Sequence, residues 1–167
     1  GSANTAIGHH TMDSANSDMS RNTAVGYNAM HTLNHADADQ NTALGAYSGI
    51  ALTSGAGNTF VGDGSGYSGT TVGYVTAVGL NAGHGALTSD ANGSVFIGAD
   101  AGYNVTTGQK NVVVGGYAFD ISTEQDYNVA IGYEALTVMS GSAGTGQNTA
   151  VGYRAGYATT TGVRNVA

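Results

Sequence analysis

Five histidines, at positions 9, 10, 31, 35 and 84, are the side chains in this chain best suited to coordinate a transition metal or relay a proton. His31 and His35 stand four apart, a spacing that would put both on one face of a helix and let them share a metal ion. Their segment, MHTLNHADADQ, has no apolar periodicity and interrupts a repeating pattern, so it reads as a loop with solvated histidines. Asp37 with Asp39, or Asp63 with Ser65, offers oxygen ligands of the kind calcium takes. The repeated G-G-x-G-x-D pattern of calcium-binding rolls is missing, and solvated loop acids are the expectation. GDGSGYSG (62–69) has the glycine density of a phosphate cradle but neither the following Lys nor a helix pattern. No Ser, His and Asp converge in a legible nucleophilic arrangement. No catalytic residue, metal or cofactor is therefore expected, and the chain is read as a non-enzyme.

Two other residue types carry more surface chemistry. Ten tyrosines include Tyr27, Tyr133 and Tyr153 directly after a recurring Gly, and Tyr67, Tyr103 and Tyr157 five places beyond it. Such rings either pack over corners with the hydroxyl in water, which is the favoured reading, or present faces that stack on sugars. Thr5, Thr23, Thr42, Thr59 and Thr76 form a spaced hydroxyl series that suits an ice lattice, but the series changes to Val95, Val112 and Val129. Asn92-Gly-Ser and Asn104-Val-Thr fit the N-glycosylation sequon.

What positions these groups follows from composition and repetition. The 167 residues include 28 Gly, no Pro and no Cys, and much of the 41% apolar content is Ala. Helix formation is disfavoured by glycine at this density, and a core built from it must be thin. Net charge is −7 with only Arg21, Lys110, Arg154 and Arg164 positive, which excludes a nucleic-acid footprint and an attraction to anionic lipid. No apolar run is long enough to cross a bilayer, and no signal-peptide pattern is present. Without cysteine, disulfides and thiolate metal sites are ruled out.

One phrase organises the chain. It reads NTAIG (4–8), NTAVG (22–26), NTALG (41–45), NTFVG (58–62), VTAVG (75–79), SVFIG (94–98), NVVVG (111–115), NVAIG (128–132) and NTAVG (148–152), with a tenth copy beginning at Asn165. The closing glycines are Gly8, Gly26, Gly45, Gly62, Gly79, Gly98, Gly115, Gly132 and Gly152, so successive gaps are 18, 19, 17, 17, 19, 17, 17 and 20. Units this short cannot hold a helix pair. They fit one coil of a parallel β-solenoid, with two or three short strands of about 4–5 residues per coil. The expectation is an all-β solenoid over 1–167 of about ten coils, a rod on the order of 45 Å at the inter-strand spacing.

In such a rod every column of the repeat becomes a ladder. Ile7, Val25, Leu44, Val61, Val78, Ile97, Val114, Ile131 and Val151 are branched aliphatics, read as the core stack. Asn4, Asn22, Asn41, Asn58, Asn111, Asn128, Asn148 and Asn165 are read as corners, where Asn tolerates left-handed backbone and its amide bonds to the next copy. The Gly column marks positive φ or close backbone approach. Side chains alternate across a strand, so Thr and Val point one way while Ala and Gly point the other. Neither set is charged. If the Val side fills the core, the other column (Ala6, Ala24, Ala43, Phe60, Ala77, Phe96, Val113, Ala130 and Ala150) needs a second cover. A neighbouring subunit is the expected cover, and a wider coil that buries this column internally is the alternative.

The recurring N-[TSV]-[AV]-[VI]-G phrase resembles the head repeats of trimeric autotransporter adhesins. Its longer form, NTAVGY followed by Ala155-Gly156, is similar to repeats of bacteriophage tail-fibre proteins. The resemblance implies a parallel β-roll with three chains side by side, in the shaft or head of an extracellular or virion-surface fibre that attaches to a host. The units here are longer than the adhesin-head coil. Ending inside a unit, the sequence reads as a fragment of something longer, and the variable stretches 31–40, 84–92 and 119–127 as recognition loops. The expected function is a rigid, non-enzymatic fibre segment. Its partners would be copies of itself and a host-surface glycan or protein, with no membrane insertion. A filament growing from open coil ends and an ice-binding solenoid are the alternatives.

Overall fold

The computed structural model describes residues 1–14, 18–139 and 146–167. Among them, each returning phrase supplies one three-residue strand: β1 (Thr5–Ile7), β2 (Thr23–Val25), β3 (Thr42–Leu44), β4 (Thr59–Val61), β5 (Thr76–Val78), β6 (Val95–Ile97), β7 (Val112–Val114), β8 (Val129–Ile131) and β9 (Thr149–Val151). They form one parallel sheet in sequence order, and like pairs with like: Thr5 with Thr23, Ala6 with Ala24, Ile7 with Val25. The fold is an all-β parallel solenoid. Nine strands bound eight full coils, where the sequence suggests about ten, and span about 38 Å at the usual strand spacing.

One strand per coil, rather than two or three, follows from what comes after it. Each strand ends at a Gly whose φ lies between 126° and 140°. A Cβ added to Gly26 would sit 2.4 Å from the carbonyl oxygen of Gly45, so the next coil excludes any side chain there. The chain then turns through further left-handed residues, including Asn28 and Met30 on the second coil. No extended run survives this, yet coils stay bonded to one another through the turns. Met30 N–H donates to Ser48, Gly49 to Ser65 and Gly66 to Ala82, at 2.9–3.0 Å.

The interior holds the Ala/Phe column, the Asn column and the small or apolar residues of the turns. Ala24, Ala43, Phe60, Ala77, Phe96, Val113, Ala130 and Ala150 are fully buried inside their own chain, and only Ala6 of the first strand is exposed. This corrects the expectation that the column faces another subunit. The coil is wide enough to enclose it, as the alternative reading held. The branched aliphatics are corrected in the same step. Ile7, Leu44, Ile97, Ile131 and Val151 are exposed, Ile7 to 59%, and Val25, Val61, Val78 and Val114 are only half-buried. Strand parity is as expected, but the small side chains point inward.

Volume decides the matter. Two inward columns, the strand centre and the fourth residue after the Gly, share one space. Where the strand centre is Phe60, that residue is Gly66, and a Cβ on Gly66 would lie 2.5 Å from the ring. Gly102 stands in the same relation to Phe96, at 2.2 Å. Where the strand centre is Ala24 or Ala130, the partner is the buried Met30 or Leu136. Coils that are small at both places, Ala43 with Gly49 and Ala77 with Gly83, are filled by the ring of the next coil, since a Cβ on Gly49 would lie 2.8 Å from Phe60 and one on Gly83 3.0 Å from Phe96. Bulk is therefore shared between neighbouring coils as well as within one.

The Asn column forms the predicted ladder, but inside the coil. Asn22 Nδ2 donates to Asn4 Oδ1 (3.3 Å), Asn41 Nδ2 to Asn22 Oδ1 (3.1 Å) and Asn58 Nδ2 to Asn41 Oδ1 (3.0 Å). Asn128, Asn148 and Asn165 continue it from Asn111 at 2.9–3.2 Å. The same oxygens accept the backbone N–H of the next Asn. The left-handed residue is not the Asn itself but its predecessor: Arg21, Gln40, Lys110, Tyr127, Gln147 and Arg164 have φ between 53° and 61°. At Val75 and Ser94 the ladder is interrupted. Val75 N–H still donates to Asn58 Oδ1 (3.0 Å), and Ser94 Oγ accepts Asn111 N–H (3.2 Å).

Candidate interaction surfaces

While Phe60, Phe96, Phe119, Met30 and Leu136 fill the interior beside Ala and Asn, the branched aliphatics of the strands and several tyrosines lie outside in ordered ranks. The outward strand face carries Thr5, Thr23, Thr42, Thr59, Thr76 and Thr149, with Val95, Val112 and Val129 between them, in one column. Beside it runs the branched aliphatic column from Ile7 to Val151. In-register pairing keeps both columns straight along all nine strands, and no residue in either is charged. An unbroken apolar and hydroxyl strip of this length is unusual on an isolated soluble chain.

Beyond the glycines lies a stripe of rings. His9 stacks on Tyr27 (centroids 5.6 Å apart, planes 8°), and Tyr27 meets Tyr47 edge-on at 5.3 Å. Tyr47 leads to Tyr67 at 6.2 Å, and His84 is sandwiched between Tyr67 (4.7 Å, 7°) and Tyr103 (4.6 Å, 9°). The series resumes with Tyr117, Tyr133 and Tyr153 at 5.7 and 6.0 Å. The sequence singles out Tyr27, Tyr67, Tyr103, Tyr133 and Tyr153 but not their alignment, because they occupy different places in their units. His9 shares the place of Tyr27 and His84 that of Tyr67 and Tyr103, while Tyr47 and Tyr117 join from two residues after the Gly, and only the three-dimensional stacking reveals one stripe. Tyr157 departs from the stripe and lies under Arg154, whose guanidinium is 4.7 Å from its ring and pairs with Glu134. That carboxylate raises the Arg154 pKa by hydrogen bond and charge.

Between Tyr103 and Tyr117 the stripe opens into a cleft of about 270 Å³ lined also by Asn81, Asp100 and Asp120. Asn81 Nδ2 donates to Asp100 Oδ1 at 3.1 Å. Partial burial pushes the Asp120 carboxyl up, and the neighbouring Asp100 charge adds to the effect. Burial between two rings pulls the His84 imidazole down, against the opposing pull of Asp100.

The remaining candidates are dispersed. His35 faces Asp37 (3.5 Å) rather than His31, so the i, i+4 pair does not form. His31 instead points to Asp13 on the preceding coil. Asp39 is held by Arg21 at 3.2 Å, Asp63 is exposed, and Ser65 is buried with its hydroxyl donating to Gly62. Gly66 within GDGSGYSG is explained by the Phe60 ring. Asn92 Oδ1 accepts Gly73 N–H, and Asn104 Nδ2 donates to the Asp120 carbonyl. The stretches 31–40, 84–92 and 119–127 present exposed residues such as His35, Asp90 and Glu124. Leu33, Ala38, Leu87, Ala91, Phe119 and Gln125 within them are buried in the coil wall. Among the described residues no helix is long and apolar enough to cross a membrane. No family model, curated protein or solved structure matches the chain.

Proposed function

We propose that this chain is a rigid, non-enzymatic segment of an extracellular fibre, of the phage tail-fibre or surface-adhesin kind, and that three copies associate along their outward strand faces. The observation that carries this reading is the uncharged Thr and Val/Ile strip running the length of the sheet, with Ile7, Leu44 and Val151 at least half exposed in the single chain. Burying such a strip is favourable by about 25 cal/mol per Å² of apolar surface. Side-by-side packing of identical columns covers all coils at once, and a threefold arrangement gives each strip two neighbours. The ring stripe, lying past the glycines, would remain outside to meet a host-surface glycan. Sedimentation analysis of the full chain tests the assembly: a discrete trimer at micromolar concentration is expected, and Val78→Lys with Val114→Lys should yield a monomer of unchanged circular dichroism. A native chain that sediments as a monomer overturns the reading; a mass that climbs without limit points to end-to-end filaments instead. Glycan-array binding lost on Tyr67→Ala tests the host-surface role.

A second reading rests on the same strip. Five consecutive strands, β1 to β5, present Thr outward in register, a regular hydroxyl rank that a monomer would leave free to bind ice. The two readings exclude each other, since association hides the rank. A monomer showing thermal hysteresis selects the second.

A further inference from the structure

We infer that His10, Asp13 and His31 form a binding site for one Zn²⁺-like transition-metal ion, which ties the first coil to the second. His10 Nδ1 lies 3.0 Å from Asp13 Oδ2, and His31 Nε2 lies 3.8 Å from the same oxygen. All three donor atoms fall within 4.8 Å of one another. Ligands at about 2.0–2.2 Å around a tetrahedral zinc are separated by roughly 3.4 Å. The observed spacings bracket that value, so small rotamer adjustments bring the set onto an ion.

The backbone presents these groups by rule rather than by chance of side-chain flexibility. Asp13 and His31 occupy the same place in successive units, five residues after Gly8 and Gly26. Consecutive coils therefore hold them one above the other. The stack is fixed on either side by Met12 N–H donating to Ala29 (3.1 Å) and Ser14 N–H donating to His31 (3.0 Å). His10 is set by a left-handed turn (φ 54°) that recurs two residues after each strand-ending Gly. Its ring packs edge-on against His9 at 3.9 Å, and His9 stacks on Tyr27, which limits how the His10 ring can swing.

The donor set also selects the ion. Two imidazole nitrogens and one carboxylate oxygen suit zinc, nickel or copper and are too few and too nitrogen-rich for calcium or magnesium. The side chains are accessible to solvent, so an ion can enter and retain water or another ligand at its open position. His35 and His84 lie elsewhere and serve as internal controls. What the ion would do is mechanical. β1 is exposed on all three of its residues and pairs only with β2, and the metal adds a bond between those two coils independent of the sheet. This inference does not depend on the assembly proposed above, because every ligand comes from one chain.

Calorimetric titration of the EDTA-treated full chain with ZnCl₂ tests it. One ion per chain is expected, with affinity falling at least tenfold in His10→Ala and in His31→Ala and unchanged in His35→Ala and His84→Ala. In ¹⁵N-resolved spectra, Zn²⁺ should perturb amides of 9–14 and 27–32 selectively, and amide exchange of β1 should slow. That second readout stands even if one variant folds poorly. Absence of saturable binding up to about 100 μM Zn²⁺, or equal weakening by His35→Ala, overturns the site.

Discussion

Replacing Asn41 by Ala tests whether the buried amide ladder, rather than the short strands, sets the stability of the coil. Asn41 Nδ2 donates to Asn22 Oδ1 (3.1 Å) and to the Gly55 carbonyl (2.8 Å), while its Oδ1 accepts the N–H (3.0 Å) and the Nδ2 (3.0 Å) of Asn58. After truncation, Asn22 Oδ1 still receives Asn41 N–H (2.9 Å), and Asn58 Nδ2 still reaches Val72 (2.8 Å). Two buried backbone groups lose these partners, the Gly55 carbonyl and the Asn58 N–H. Each orphaned group costs about 1–3 kcal/mol, so a loss of about 4 kcal/mol is expected. That is a large share of the ~5–15 kcal/mol typical of a folded domain. Asn41→Ser should cost about half as much, because Ser94 Oγ already accepts the N–H of Asn111 on the next coil (3.2 Å). Urea unfolding followed by circular dichroism gives both values, and amide exchange at Asn58 reports the orphaned donor directly. A loss below about 1 kcal/mol for Ala, equal losses for Ala and Ser, or an Asn58 amide as protected as before would refute the reasoning.

Other expectations follow from the same interior. Gly66→Ala places a methyl against the Phe60 ring at a φ of +62° and should destabilise by about 2–4 kcal/mol, combining overpacking with left-handed strain. Phe60→Ala alone should cost about 3–5 kcal/mol through the cavity it leaves. Combining it with Gly66→Met rebuilds the Ala24/Met30 pairing and should recover more than half of that loss in a double-mutant cycle; additive losses would contradict the traded-bulk account. Ser94→Asn extends the interrupted ladder towards Asn111 and should stabilise by about 1 kcal/mol, read from the urea midpoint. His84 has its pKa lowered by burial, so the unfolded chain binds its proton more readily. Its contribution is fully present above about pH 6.5 and is eroded as pH falls through that value. Between pH 7.5 and 5.5 the parent chain should lose more stability than His84→Phe, and equal losses would show that burial between the two rings has no energetic consequence.

Much of this architecture was legible because the repeat fixes both strand position and register. Every strand falls on the three residues before a repeating Gly, and the alternation of Thr and Val against Ala and Gly holds throughout. Hydrophobicity alone points to the branched aliphatics as the inside, and the fold turns them outward. A better signal lay in parity: Asn22, Ala24 and Gly26 share one side of the strand. An Asn bonded to its own copies must be shielded from water, which puts Ala inside with it. The pairing of Phe60 with Gly66 and of Phe96 with Gly102 was a second signal, since a large residue opposite a glycine marks a shared interior volume. The ring stripe and the His10, Asp13 and His31 cluster were illegible for a different reason. The ring stripe mixes offsets of one, two and five residues from the Gly, and His10 joins Asp13 and His31 from an offset of two against their five, so shared spacing alone does not gather either set.

The same geometry explains how a chain with so little charge and so much glycine holds one register and still carries ordered surfaces. The interior is made of groups that satisfy one another vertically: amide to amide, turn N–H to the carbonyl one coil on, and a Cβ-free Gly beneath the next Gly carbonyl. None of these contacts tolerates a slip of one residue, because a slip would bury Thr and expel Asn. Register is therefore enforced from inside, coil by coil. The outer columns inherit that order without contributing to it, which leaves Thr, Val and Tyr free to vary along the rod, as they do from Thr76 to Val95 and from Tyr67 to His84. A surface whose spacing is set by the core can be rewritten by single substitutions without refolding the scaffold. Outward substitutions such as Val78→Lys should therefore alter association while leaving unfolding of the isolated chain nearly unchanged, and a comparable loss of fold would mean that the outer face belongs to the core after all.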